Sequence, residues 1–382
     1  HLANLFIKAS LPGKIVGDLR DYIQNVKVPL AVRSSSLLED SLYQPFAGIY
    51  ATKMLPNDQT GDDIRFLNLV NAIKFVFASS FFRDAKSYIS STSHRVEDER
   101  MAVVIQPVVG KLHPGSFYPD FSGVARSYNY YPVGQAKPED GVVNVALGLG
   151  KTVVDGGVSL RFTPAFAGVL PQFTSIKEMF SCSQREFYAI AMRHVASIAF
   201  LEEDQYLVKH GLEKAEADGV LQFLASTYSR EDDAVYDGIS LSGPRIINFA
   251  HILKNDIFPL AKILIDLLTV SSAAMNCAVE IEFAVSMDSH NALPAQFSIL
   301  QVRPLVVQDE LVKVDLDERR NEAAFCFSDR VLGNGVSQTI RDIVVVKPAE
   351  FDAAKSPQIA AEVGMLNSRL REAGTPYLLI GP

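Results

Sequence analysis

The chain has 382 residues, 48% hydrophobic and 21% charged, with a formal net charge of −8. That length exceeds what one hydrophobic core usually organises, so two or three domains or subdomains are expected. The acidic balance argues against a sequence-independent nucleic-acid binder, which needs a basic footprint to displace counterions. Cys182, Cys277 and Cys326 are odd in number and widely spaced. They offer neither a disulfide framework nor a zinc spacing, and the expected setting is the reducing cytoplasm. No uninterrupted apolar run nears the roughly 20 residues of a membrane span, and no signal-peptide pattern is expected at the start. A chain that opens on His1 and stops at Pro382, just after a strand-like run, reads as a piece of something longer.

Taken in order, Ile15 to Val26 has helical spacing and Pro29 ends it. Leu30-Ala-Val-Arg-Ser-Ser-Ser comes next, a short apolar strand that runs into Arg33 and three hydroxyls. A cation at a strand end beside hydroxyls and free amides suits phosphate oxygens. A serine-capped helix start with Glu39 in its first turn fits the same letters. In Phe46-Ala-Gly, Gly48 serves a turn or a close approach to a ligand. Asp62 to Ser90 is a core helix, with Leu67, Val70, Ile73, Phe77 and Phe81 as its stripe, and Arg95 to Arg100 is a solvated connection.

Met101 to Gly110 is a buried strand broken at Pro107, and segments 117–133 and 142–174 read as antiparallel strands with turns at Gly123, Gly141 and Gly156-Gly157. Leu147-Gly-Leu-Gly-Lys-Thr imitates the end of a phosphate-binding P-loop. Val145 stands where that motif needs its first glycine, and the residues after Thr152 look β-like rather than helical. A glycine loop over phosphates, with Lys151 as a contact, stays open. Residues 185–201, 209–228 and 257–274 are expected to be helical, and the acidic runs at 202–204 and 231–233 to be solvated. Among seven scattered histidines, His113, His210 and His290 read as surface or satisfied side chains, and no Ser/His/Asp signature occurs.

The most informative stretch is 277–306. Alternation places Glu280 and Glu282 on one strand face, with Val279, Ile281, Phe283 and Val285 opposite. After a turn at 288–294, Gln301 and Arg303 again share a face. Paired as a hairpin, the four form either a divalent-cation and anion site or an ordinary salt-bridged strand surface. Beyond Pro304, residues 308–322 turn polar, and 323–382 reads as a small α/β piece with strands at 343–346 and 377–380 and a helix at 357–371.

Pro29-Leu-Ala-Val-Arg-Ser-Ser, Phe46-Ala-Gly, Met101-Ala-Val-Val-Ile-Gln, Ser122-Gly-Val-Ala, Leu147-Gly-Leu-Gly, Val153-Val-Asp-Gly and Glu280-Ile-Glu-Phe with Leu300-Gln-Val-Arg-Pro occur in the order of one family. Over about residues 20–307 the chain resembles the N-terminal nucleotide-binding domain of phosphoenolpyruvate synthase and pyruvate phosphate dikinase, which is similar to that of rifampin phosphotransferase. The resemblance implies an α+β, ATP-grasp-like fold with mostly antiparallel sheets and two lobes around a nucleotide cleft. The lobes would be 1–100 and 101–310, with 311–382 a truncated segment.

The same resemblance implies ATP and Mg2+ as cofactors. It implies Arg33 and Arg303 as the catalytic, phosphate-holding cations, and Gln106 and Val108 beside the adenine. Gly148 and Gly150 would lie over the phosphates, with Lys151 as the contact the glycine loop itself suggests, and Glu280, Glu282 and Gln301 would lie at the metal. The implied activity is ATP-dependent phosphoryl transfer to a histidine of a further domain, or to another acceptor outside this chain, with neither nucleic acid nor membrane as partner. The sequence departs from the family pattern in four places. Glu280 replaces a frequent Asp, Lys151 replaces a Glu, no Gly-Gly-Lys precedes Arg33, and no Thr-Ser-His-Ala-like motif occurs. A nucleotide sensor or scaffold that keeps the fold, and a small-molecule phosphotransferase of the antibiotic-modifying type, are the alternatives.

Overall fold

The computed structural model describes residues 2–36, 39, 48–90, 99–170, 173, 175–192, 202–287, 295–305, 337, 339–352 and 355–381. They fall into two units, 1–306 and 307–382. The expected turn at 288–294, most of the connection at 95–100, Phe46, the polar boundary at 308–322, His290 and Cys326 lie outside the described residues.

The first unit opens with helices α1 (Leu2–Lys8) and α2 (Gly13–Asn25). Leu19 and Ile23 of α2, one turn apart, are buried. Strand β1 (Leu30–Ser36) is the centre of an antiparallel sheet of order β2-β1-β3, with β2 (Thr52–Leu55) and β3 (Met101–Pro107) as its edges. Between these edges run α3 (Asp62–Ser79) and α4 (Arg83–Ser90), where the sequence suggested one helix. Leu69, Ile73 and Val76 of α3 pack on Leu30, Val32 and Leu55 of the sheet. Residues 62–89 are long and apolar enough to cross a membrane by length and composition alone, but 67% of the most apolar window is buried, as in a core helix.

The rest of the unit is a larger core. Strands β4 (Lys111–His113), β5 (Ser116–Tyr118), β6 (Phe121–Arg126) and β7 (Val142–Leu147) lead to α5 (Lys151–Val154), β8 (Leu160–Phe162), α6 (Ile176–Cys182), β9 (Glu186–Ala191) and β10 (Leu207–Gly211). Beyond them lie α7 (Leu212–Ala217), α8 (Leu221–Leu224), β11 (Ala225–Ser229), β12 (Ala234–Asp237), β13 (Arg245–Ile247), α9 (Ala250–Leu253), α10 (Leu260–Met275), β14 (Val279–Ser286) and β15 (Gln296–Pro304). They form sheets of order β10-β9-β5-β4, β12-β11-β13 and β15-β14-β6-β7-β8, antiparallel throughout.

In the five-stranded sheet, Phe121 and Ala125, Val143 and Val145, and Ile281 and Phe283 point to the core, where Leu260, Leu264 and Leu268 of α10 meet them. Strand alternation therefore commits the opposite face to the residues between them. That face carries the site.

Three sequence expectations are corrected here. Residues 185–201 contain β9 rather than a helix in their described part, because Glu186–Ala191 pairs with β10 and with Ser116 and Phe117 of β5. The span 209–228 divides among β10, α7, α8 and β11. In both, pairing with distant strands overrides a local Leu/Ala/Glu pattern that favours helix. After Gly150 the backbone makes one helical turn, α5, before it becomes extended at β8.

The second unit holds β16 (Asp342–Val345), α11 (Ser356–Glu372) and β17 (Tyr377–Ile380), close to the expected spans. β16 and β17 are parallel and joined through the helix, as a parallel pair requires.

Candidate functional site

β14 and β15 form the hairpin the sequence suggested, with Glu280 opposite Arg303 and Glu282 opposite Gln301. Directly opposed residues share a face, so these four stand together. On the other side of β14, Arg126 of β6 faces Glu280 and Val124 faces Glu282. The β14–β15 register slips between Glu282 and Phe283, where Leu300 is the unpaired residue of a β-bulge. This slip reverses the parity of β15. Gln301 and Arg303 face the site, while Phe297 turns to the other face and stacks on Phe283 with ring centroids 5.1 Å apart.

Glu280 is 4% exposed. A buried carboxylate needs charged partners, and it has two. Arg303 Nε donates to Glu280 Oε1 at 2.7 Å, a terminal nitrogen of Arg303 donates to the same oxygen, and Arg126 Nε donates to Oε2. Glu282 is more open, its side chain 20% exposed. Arg33, at the middle of β1, lies with Nη1 3.9 Å from Glu282 Oε2, and its other terminal nitrogen donates to the Gln301 side-chain oxygen. The N-terminal sheet thus reaches the hairpin through one guanidinium. Gln106 of β3 adds a second link, its amide donating to the carbonyl of the bulge residue Leu300 at 3.5 Å.

The other predicted residues are placed differently. Val108 donates its N–H to Pro29 O at 2.8 Å and packs against the larger core. Gly148 has φ +82°, and an added Cβ would lie 2.7 Å from Phe187 Cδ2 and 2.8 Å from Tyr188 O, so this position requires glycine. Its carbonyl accepts from Ser122 Oγ at 2.8 Å. Gly150 has ordinary dihedrals, and a Cβ there would meet nothing closer than 3.7 Å.

Lys151 does not point alone into a cleft. It pairs with Asp155 at 3.1 Å and Asp204 at 3.2 Å and lies 5.8 Å from the Tyr188 ring centre. Burial opposes its charge, but the two aspartates outweigh that and push its pKa up. The run 202–204 is exposed as expected, and it also makes contacts. Glu203 accepts from Thr52 N at 2.9 Å, the Glu202 carbonyl accepts from Lys53 Nζ at 2.7 Å, and Asp204 holds Lys151. The run 231–233 is exposed as expected. His113 stacks on Tyr118 at 4.4 Å, and His210 Nε2 is 2.8 Å from Ser116 Oγ.

Two arginines on this face escaped the sequence reading. Arg126 continues the parity of Ser122 and Val124 along β6, so its face was legible, but not that Glu280 would be its neighbour. Arg161 of β8 faces Asn144 of β7, which faces Val124. Its guanidinium donates to Asn129 Oδ1 at 2.7 Å, and burial together with the nearby charge of Arg126 lowers its pKa.

An antiparallel sheet face that gathers guanidiniums around two carboxylates and a side-chain amide, fed by a fourth arginine from a neighbouring sheet, is the kind of surface a polyphosphate-binding α+β domain presents. The sequence profile of the family described as pyruvate phosphate dikinase, AMP/ATP-binding domain, matches residues 1–324, and the chain belongs to that family. ATP binding is therefore assigned at the level of the family. No curated protein matches the sequence at a significant level.

Proposed function

We propose that this chain binds Mg-ATP between an N-terminal lobe (1–100) and a core lobe (101–310) in the ATP-grasp manner. Its phosphoryl group then passes to an acceptor outside the chain, a phosphohistidine domain or another nucleophile. The observation that carries the reading is the convergence of Arg33 on Glu282 and Gln301 at one step of the hairpin, with Arg303 two residues along the same face. Phosphoryl transfer asks little covalent chemistry of a protein. It asks for aligned charges that take up negative charge on the moving phosphoryl group. Arg303 and Arg33 supply these, and Gln106 and Val108, on the strand and turn between the sheets, fit an adenine edge.

Magnesium is tested by its donor set. It prefers one or two protein oxygens, with phosphate and water completing its shell. Glu282 and Gln301 oppose each other with oxygens on the exposed part of the face, and they fit. Among the described residues no group of three or more His, Cys, Asp or Glu side chains able to hold a metal occurs. Glu280 has both oxygens engaged by guanidiniums, so its part is to orient Arg303 and Arg126. When bound, the ion would neutralise phosphate charge and hold it in register with Arg33.

Calorimetry with Mg-ATP tests the binding step. Heat of binding at micromolar to millimolar nucleotide is expected, and none at millimolar with folded protein overturns the reading. Arg303→Ala should then lower phosphoryl transfer by about a hundredfold or more while nucleotide affinity falls far less. Equal losses in both would mark a nucleotide sensor instead.

A further inference from the structure

We infer that Arg126 is a second oxyanion-binding point on this face, one that holds nucleotide phosphate next to Arg303. The register of five strands carries the argument. Arg303, Glu280 and Arg126 form one cross-strand row, and Gln301, Glu282, Val124, Asn144 and Arg161 form the adjacent row. With Arg33 added, four guanidiniums and two carboxylates share this face among the described residues.

Arg126 is the member with donors to offer. Its Nε is committed to Glu280, its two terminal nitrogens donate to nothing among the described residues, and its side chain is 37% exposed. The bond to Glu280 fixes the plane of the guanidinium while leaving its other edge outward, the fork that recognises a phosphate bidentately. Successive same-face residues on a strand lie about 7 Å apart. Arg126 and Arg303, flanking Glu280, and Arg33 at Glu282 therefore bracket a length comparable to a di- or triphosphate. The anion's identity rests on the nucleotide reading given above; its charge class does not.

The test uses the whole chain, with ATP, AMP and inorganic tripolyphosphate as probes. Arg126→Gln should weaken ATP and tripolyphosphate by about tenfold or more, the worth of a charge-assisted contact, and AMP by less than threefold. Arg126→Lys should recover part of the loss. Equal weakening of ATP and AMP, or unchanged affinity for ATP and tripolyphosphate, overturns the proposal. Arg303 still pairs Glu280 in the variant, so folding is expected to survive, and a readout on unaltered protein stands beside it. Phenylglyoxal should label Arg126 in the free protein, and tripolyphosphate should protect it; equal labelling with and without the anion overturns the proposal. If ATP fails to bind while tripolyphosphate binds and depends on Arg126, the nucleotide reading falls and the oxyanion point stands. If neither binds, both fall.

Discussion

Lys53 offers a quantitative test of how the N-terminal sheet is tied to the segment that holds Lys151. The side chain is 2% exposed on β2, its Nζ lies 4.9 Å from the Phe75 ring centre, and it donates to the Glu202 carbonyl. Burial lowers its pKa to about 8 from 10.5, with Glu202 and Glu203 acting in the opposite direction. Between those two values the unfolded chain binds a proton that the folded chain has released, so stability rises with pH there. At about 1.4 kcal/mol per pH unit the full rise is about 3 kcal/mol, and about 2 kcal/mol of it is in place by pH 9.5.

Lys53→Met keeps the length of the side chain and removes the titration. Urea unfolding of both proteins from pH 7 to 9.5 should show the wild type gaining about 2 kcal/mol relative to the variant. Tyr50, raised by burial and Glu99, and Tyr118, raised by burial and Asp218, contribute stability that is lost at still higher pH, when the unfolded tyrosines ionise. That loss is common to both proteins and cancels in the difference. Parallel stability curves would refute the buried cation as drawn.

Two further outcomes are expected from the geometry around the sheet. Gly148→Ala combines a positive φ with contacts of 2.7 and 2.8 Å, and should cost about 2 kcal/mol or more in urea unfolding, whereas Gly150→Ala should leave the midpoint unchanged. Asp120 is fully buried, pairs with Lys111 at 2.7 Å and accepts from Met287 N at 2.7 Å, just beyond the end of β14. Asp120→Ala should therefore cost about 3 kcal/mol, while the same change at the exposed Asp63, paired with Arg20, should be silent.

How far the site could be read from the letters alone differs by residue. Glu280, Glu282, Gln301 and Arg303 were legible because alternation is a local rule, and a turn between two alternating runs predicts their meeting. Arg33 stood out as a strand-end cation, and the family resemblance gave it a phosphate; its hydrogen bond to Gln301, spanning most of the chain, was not legible. Arg126 and Arg161 were not legible. Alternation gives the face of a side chain but not which strand lies beside it, and the order β15-β14-β6-β7-β8 is set by core packing across long separations. For the same reason β9 was read as helix, and the contacts of the exposed run 202–204 with Thr52, Lys53 and Lys151 were not visible. The bulge at Leu300 has no signature in its neighbours.

That bulge makes β15 a strand read in two frames. Before Leu300 the odd-numbered Phe297 packs toward the interior against Phe283, and after it the odd-numbered Gln301 and Arg303 line the opposite, candidate-site face. One added residue separates the two duties. Substitutions on the N-terminal side of the shift should register as changes in stability and those on the C-terminal side as changes in binding. A single-residue insertion or deletion between Phe297 and Gln301 would exchange the faces, setting charge against the core or apolar rings against the candidate site.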